Sequence, residues 1–459
     1  MFFEIKIHLK FVTTLKYFLR KMKVNSISNK LIMIVLLLPL LTVMKLHLFS
    51  NNVVVTYTTT WILSSIFYFV SVYFIKKNNI SRKHTISFLI LSVLIQISFL
   101  NFEPIGSDDI YRYMWDGKVQ DAGINPYQYK PSDEKLNFLH SDILPERMNF
   151  KEMKTIYFPL SQWIFYFAYK LSNENYWGYK FFVLISILIS FLLIYKILEK
   201  CGLEKKYLLI FVLSPLIYFQ FSVDGHLDAF GLPMLLASLY FYLNEKKVFS
   251  AIFLGLSFSI KPIGFVLLPI FFLNEKYFKD KIKFFIIPII VFGLQFIPYF
   301  SSSNPFEAFL IYTKNWIYNG LIFNFFNAFI HNNQTARLIT SGLLLIILLP
   351  IYFSKLNFLT KCYYSFLFMI IFSPVVHPWY LSWILILIPL FPNWSGIYLV
   401  SAVSFTSLTI LNYKLNGVWK DYLAIQIIEY LPVIILSITE LYHLKPFSSQ
   451  DKEKPKFSL

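Results

Sequence analysis

The chain has 459 residues, of which 57% are hydrophobic, 20% aromatic and only 15% charged, where a soluble globular domain is about a quarter charged. This composition excludes an ordinary soluble enzyme. The formal net charge of +17 could suit nucleic acid, but the basic residues sit in short clusters between apolar runs; they read as membrane-topology signals, and no nucleic-acid partner is expected.

Residues 1–30 are basic and amphipathic, with Lys16, Arg20, Lys21 and Lys23, and predict a cytoplasmic interfacial segment with no cleavage site. The run LIMIVLLLPLLTVMKLHLF that starts at Leu31 is long enough to cross a hydrocarbon core about 30 Å thick. A helix is the expected form, because backbone in lipid must satisfy its own hydrogen bonds. A second helix over 53–75 returns to KKNNISRKH inside, and a third leads out. Residues 102–178 then form one long external loop with juxtamembrane helices. Within it, IYFPLSQWIFYFAYKL at 156–171 is expected to lie on the membrane. A crossing there would send three basic loops, EKCGLEKK, NEKK and NEKYFKDK, to the outside against the positive-inside rule. Gln162, Tyr166, Tyr169 and Lys170 make the stripe expected of an interfacial helix.

Further helices are predicted over 179–198, 207–222 and 229–243, with VDGHLDAF outside between the last two. Residues 250–273 read as two half-helices meeting at Lys261-Pro262. A helix over 284–300 exits to a second external stretch, 301–334; runs at 335–353, 362–376, 379–391, 396–412 and 421–442 complete the bundle. The predicted fold is therefore an all-α polytopic transmembrane bundle of about fourteen spans, several shorter than a full crossing. Its domains would be 1–30, the membrane body 31–442, and a basic cytoplasmic tail 443–459. Cys201 and Cys362 adjoin loops placed inside, so no disulfide or metal pair is expected.

The polar residues gather on one side of this topology. Asp108, Asp109, Arg112 and Asp116 follow the third helix; Asp224, His226 and Asp228 lie in VDGHLDAF; Lys261 and His377 stand at helix ends. A charge at the bilayer centre costs about 2.5–3.5 kcal/mol, so such residues tend to face a cavity and mark function. Asp108-Asp109 could cap the helix that follows, but adjacent acids beside Arg112, Tyr111, Tyr113 and Trp115 could also accept a proton from a hydroxyl. Lys261 could snorkel or meet a phosphate. HPWY, from His377 through Trp379 to Tyr380, could be an interfacial aromatic belt or a site wall. The chain shows no metal-ligand cluster, which leaves a divalent cation open, and no Rossmann glycine fingerprint.

The ordered set SDDIYRYMWDGKVQDAGINPYQYKPSD, IYFPLSQ, GHLDAFGLPMLLA, LGLSFSIKP and HPWYLSWIL resembles the GT-C superfamily of integral-membrane glycosyltransferases, and among them the bacterial polyprenyl-phosphate-mannose-dependent mannosyltransferases. The likeness runs from about residue 85 to about residue 390. One departure is that the acidic loop follows the third helix here and the first in many relatives. The resemblance implies an inverting transfer of a hexose, mannose by this likeness, from a polyprenyl-phosphate donor to a lipid or glycan acceptor. It places the site on the external or periplasmic face of a bacterial cytoplasmic membrane. It makes Asp108 the general base, with Asp109 as the alternative. Arg112, Lys261 and His377 would hold the donor phosphate; Tyr111, Trp115, Asp116, His226, Asp228, Trp379 and Tyr380 would hold sugar or acceptor. The rival class is a multi-helix transporter or lipid-linked sugar flippase, whose sites tend to lie near the midplane between inverted repeats. No such repeat is visible.

Overall fold

The computed structural model describes residues 52–300 and 303–444. The expected basic N-terminal segment, the first apolar run and all but the start of the C-terminal tail lie outside the described residues. Among those described there is no strand, only an isolated parallel bridge between Tyr318 and Val375, and the fold is an all-α bundle.

Helix α1, Val53–Lys77, ends in Lys76 and Lys77, which suit the negative end of the helix dipole. Helix α2, Arg82–Ser98, starts on Ser81, whose hydroxyl accepts the backbone N–H of His84. The expected loop 102–178 is not plain coil. It holds α3, Asp109–Asp121, and α4, Pro159–Ser172, packed on each other. They meet at Gly117, where a Cβ would stand 2.4 Å from the Phe165 carbonyl oxygen, so only glycine permits the approach. Trp163, Phe167 and Leu171 on α4 are 45%, 55% and 45% exposed, an apolar stripe at i, i+4, i+8 that fits a membrane-surface helix. The outward stripe is thus apolar, and Gln162, expected on a polar outward stripe, is instead fully buried toward α3.

Helix α5, Tyr176–Lys200, is followed by the short α6, Leu208–Val212, and a π-helical turn, Ile217–Val223. The two lie at 58° to each other; Pro215 between them supplies no N–H and its ring blocks a continuous helix. Helices α7, Asp228–Leu243, and α8, Lys247–Phe258, pack closely. The expected break at Lys261-Pro262 is present: a 3-10 turn over Pro262–Leu267 leads into α9, Leu268–Asn274. Then come α10, Phe278–Leu294, α11, Glu307–Asn315, and α12, Leu321–Ile330, so the second expected external stretch is also partly helical. The remainder is α13, Asn333–Phe353, α14, Phe358–Phe372, α15, Ser382–Leu385, α16, Trp394–Ala402, α17, Ser407–Asn416, and α18, Leu423–His443.

Six described helical segments are long and apolar enough to cross a membrane, or seven counting the bent pair. The apolar run 379–391 shows why the larger expected number falls. It forms only a 3-10 turn and a four-residue helix, and Trp383, Ile384, Leu385 and Ile386 are all 0% exposed. Its hydrophobicity serves the protein interior rather than lipid.

Helix α1 gives the molecule two distinguishable ends. Near its start Tyr57 donates to Asp224 at 2.5 Å; near its finish Lys76 donates to the Pro392 carbonyl at 2.6 Å. Those residues are separated by about 28 Å of helix at ~1.5 Å per residue. Lys206 reaches the Asn78 carbonyl at 3.2 Å, so the basic loops after α1 and α5 share the Lys76 end. The acids of the 106–116 segment and VDGHLDAF share the Tyr57 end.

Candidate active site

Asp224 is the hub of that end. Fully buried, it accepts the Tyr57 hydroxyl and the backbone N–H groups of Ile105 and Gly106 at 3.0 and 2.8 Å. It thereby ties α1 and the π-helical turn to the segment that presents Asp108 and Asp109. Gly225 turns the chain just after it with φ of +73°, a conformation glycine adopts without steric cost.

Asp108 occupies the N-cap position of α3, yet its side chain makes no cap bond. Its carboxylate turns outward to Asn149 Nδ2 at 3.2 Å and Lys414 Nζ at 3.3 and 3.4 Å. Capping therefore does not account for it. Asp109 sits in the first turn of α3, where the helix dipole favours an anion. Its Oδ2 lies 3.5 Å from Nδ1 of His226, and its side chain is 32% exposed. Close packing pushes the Asp109 carboxyl upward, but the neighbouring His226 imidazole and the Lys261 ammonium outweigh it and leave the carboxyl below its ordinary value.

Two clefts meet over these acids. The first, about 1060 Å³, has Lys261, Arg112 and Lys154 among apolar walls that include Phe158, Leu227, Ile260 and Phe309. The second, about 1360 Å³, is edged by Tyr318, Tyr413, Lys414 and Trp419. Asp108, Asp109, Asn149, Phe150, Trp316, His377 and Trp379 border both.

In the first cleft Lys261 contacts Asp228 at 2.8 and 3.0 Å, and its ammonium lies 3.6 Å from the Tyr380 ring centroid. The fully buried Asp228 also accepts the Trp383 indole N–H at 2.8 Å. Asp228 thus orients Lys261 from below. Tyr380 meets the Tyr312 hydroxyl at 2.9 Å. Burial pushes the His377 imidazole down to about 3, with Lys261 and His226 adding to the effect against Asp109. At neutral pH it offers a hydrogen bond rather than a positive charge.

The structure brings Asp108, Asp109, Arg112, Lys261, His377, Trp379 and Tyr380 to one place, as expected. It does not bring Asp116, Tyr111 or Trp115 to either cleft wall. Asp116 is 1% exposed and is filled by Arg112 Nε at 3.0 Å, Thr155 at 2.5 Å and Gln162 at 3.0 Å. Arg112 also donates Nη1 to the Met153 carbonyl, so much of its bonding holds the loop together. Trp115 lies edge-on to His140, and Tyr111 meets Glu103. His226 and Asp228 stand behind the walls at 0% exposed. Asn149, Phe150, Tyr312, Trp316 and Lys414 are not singled out by the sequence; they arrive from the loop before α4, from α11 and the residue after it, and from α17, with no local spacing to mark them. Phe150 carries a signal, an aromatic residue within the polar stretch PERMNFKEMK, and the structure leaves it 61% exposed. Among the described residues no three His, Cys, Asp or Glu side chains come together as metal ligands.

Residues 26–274, more than half of the chain, match the family described as Alpha-(1->6)-mannopyranosyltransferase, N-terminal domain. The chain belongs to this mannosyltransferase family. Residues 324–441 match the MptB C-terminal domain. No curated protein matches the chain. The mannosyltransferase match covers the Asp108-Asp109 pair, VDGHLDAF and Lys261, and the C-terminal match covers HPWY and Lys414. Both halves therefore contribute to the two clefts, and the activity is mannosyl transfer by an integral-membrane glycosyltransferase.

Proposed function

We propose that this mannosyltransferase takes mannose from a polyprenyl-phosphate donor by an inverting displacement and passes it to a saccharide or lipid-linked acceptor on the external face. The observation that carries the proposal is the meeting of two unlike clefts over one pair of carboxylates. The first suits the donor: its apolar walls accept prenyl chain, and Lys261 stands where a phosphate would arrive. The second suits the acceptor, since the aromatic rings of Trp316, Tyr413 and Trp419 offer stacking faces to sugars.

In the reaction, an acceptor hydroxyl loses its proton to a carboxylate as its oxygen bonds to the anomeric carbon. The bond from that carbon to the phosphate oxygen breaks on the opposite face, and polyprenyl phosphate leaves with the electron pair. Inversion of a β-linked donor gives the α linkage named for the family. Geometry favours Asp109 as the base, because Asp108 already accepts from Lys414 and Asn149. Lys261 and the neutral His377 would stabilise charge growing on the phosphate. Supporting the external placement, the site end of α1 lies opposite the basic loops, which are expected inside.

The test measures transfer from polyprenyl-phospho-mannose in purified membranes carrying Asp109→Asn or Asp108→Asn. Loss of the base is expected to slow transfer about 10²- to 10⁴-fold, with the larger loss at Asp109 and the protein still folded. Near-normal turnover by both variants, or lipid movement without a new glycosidic bond, would overturn the proposal.

A further inference from the structure

His226 was expected to touch sugar, but its place in the fold indicates another task. Its ring is 0% exposed and borders neither cleft. Neither ring nitrogen has a full hydrogen-bond partner, an arrangement that is costly for a buried polar group. The nearest ionic group is Asp109 Oδ2, 3.5 Å from Nδ1. Catalytic hydrogen bonds are often long without substrate and tighten when it binds.

What fixes the ring is stacking. His226 lies 3.5 Å from Trp379, centroid to centroid, with 16° between planes. Trp379 in turn stacks on His377 at 4.4 Å and 4°, and His377 on Tyr318 at 4.7 Å and 24°. Tyr318 is fastened on both sides: its N–H donates to the Pro374 carbonyl and its carbonyl accepts from Val376. Next to it, Asn319 bonds Asp421 and Glu429 at 2.8 Å each. An imidazole held this firmly, with Asp109 at its edge, is placed to orient a carboxylate.

We infer that His226 is a positioning residue for Asp109: its Nδ1 holds one oxygen of that carboxylate and aims the other at the acceptor hydroxyl. This rests on the mannosyl-transfer mechanism proposed above and assigns the base within the acidic pair. The charged and titratable groups that act on His226 are Asp109 from α3, Asp224 from its own turn, and His377. Among them Asp109 alone both touches the ring and borders the clefts.

His226→Phe keeps an aromatic ring against Trp379 and removes the nitrogen; His226→Asn returns a short donor near the place of Nδ1. For His226→Phe we expect kcat to fall about 10- to 100-fold, within the range of orientation effects, and donor and acceptor KM to stay within about twofold. Without the group that draws the Asp109 carboxyl down, burial prevails, so the acid limb of kcat against pH should move to higher pH. His226→Asn should recover part of the rate and move the limb back. A pH profile unchanged in His226→Phe would overturn the inference, as would a raised KM with kcat intact, which marks a sugar ligand. If His226→Phe does not fold, His226→Leu, which also lacks the ring nitrogen, takes its place, and an unchanged profile or a raised KM with kcat intact in that variant likewise overturns it. Asp109→Asn measured in parallel separates the two failures: an inactive Asp109→Asn beside an unshifted His226→Phe removes only the role of His226, whereas an active Asp109→Asn removes the base itself.

Discussion

Lys261 and Asp228 set the most exacting requirement at the scale of single residues. The ammonium keeps 19% side-chain exposure toward the first cleft while Asp228 beneath it has none. A carboxylate so buried needs both its cation and the Trp383 indole. Lys261→Met is therefore expected to cost roughly 3 kcal/mol of stability, because it leaves an uncompensated buried charge, and the loss should appear as a lower Tm in detergent. Lys261→Met with Asp228→Asn should recover most of that Tm and none of the transfer. Recovery of transfer as well would show that the cation serves only the fold. The sequence marked Lys261 through its place before a proline, but it did not pair the lysine with Asp228, 33 positions away. Such a pairing depends on how α7 and the 3-10 turn lie side by side.

The close approach of α3 to α4 is the matching requirement at the scale of elements. The first carries both acids at its start, and the second turns an apolar stripe outward. Gly117→Ala would place a Cβ 2.4 Å from the Phe165 carbonyl oxygen and 2.9 Å from Tyr169 Cβ. Backbone atoms cannot yield as a flexible side chain does, so overpacking should cost about 1–3 kcal/mol, read as a fall in Tm. A Tm equal to that of the parent would show that the two helices separate freely. Helix phase also sorts the residues of α3: successive residues turn by about 100°, so Tyr111 and Trp115 point away from the face of Asp109 and Arg112, whereas Asp116, in phase with that face but farther along the helix, is taken up by Arg112, Thr155 and Gln162. Proximity in sequence suggested one cluster; the helix divided it between a reactive rim and a structural core. Hydropathy alone had the opposite weakness, since 379–391 is as apolar as a span and is consumed by the interior.

For the whole molecule, the separation of the basic loops from the acids predicts which side each faces. Glu134→Cys, in the exposed 3-10 turn between α3 and α4, should react with an impermeant thiol reagent added to intact cells. Asn79→Cys, beside the basic loop after α1, should react only after permeabilisation. Cys201 and Cys362 are both buried and should give little background. Labelling of both positions from the same side would refute the external placement. This polarity was legible from sequence because charge distribution against apolar length is a one-dimensional signal. The second cleft was not: Asn149, Trp316 and Lys414 come from three separate segments and are joined only when the chain is folded.

The π-helical turn over Ile217–Val223 has a consequence for how such a protein can change. There the Asp224 N–H reaches back to Phe219 and the His226 N–H to Gln220, one or two positions beyond the usual helical reach. The segment therefore holds surplus backbone. Rewinding its residues as an ordinary helix, with none removed, would swing everything downstream by about 100°, carrying Asp224, His226 and Asp228 out of phase together. Three roles hang on a single local miscount, so substitutions can be sampled there one at a time, while a change of winding would have to be accepted or rejected by all three at once.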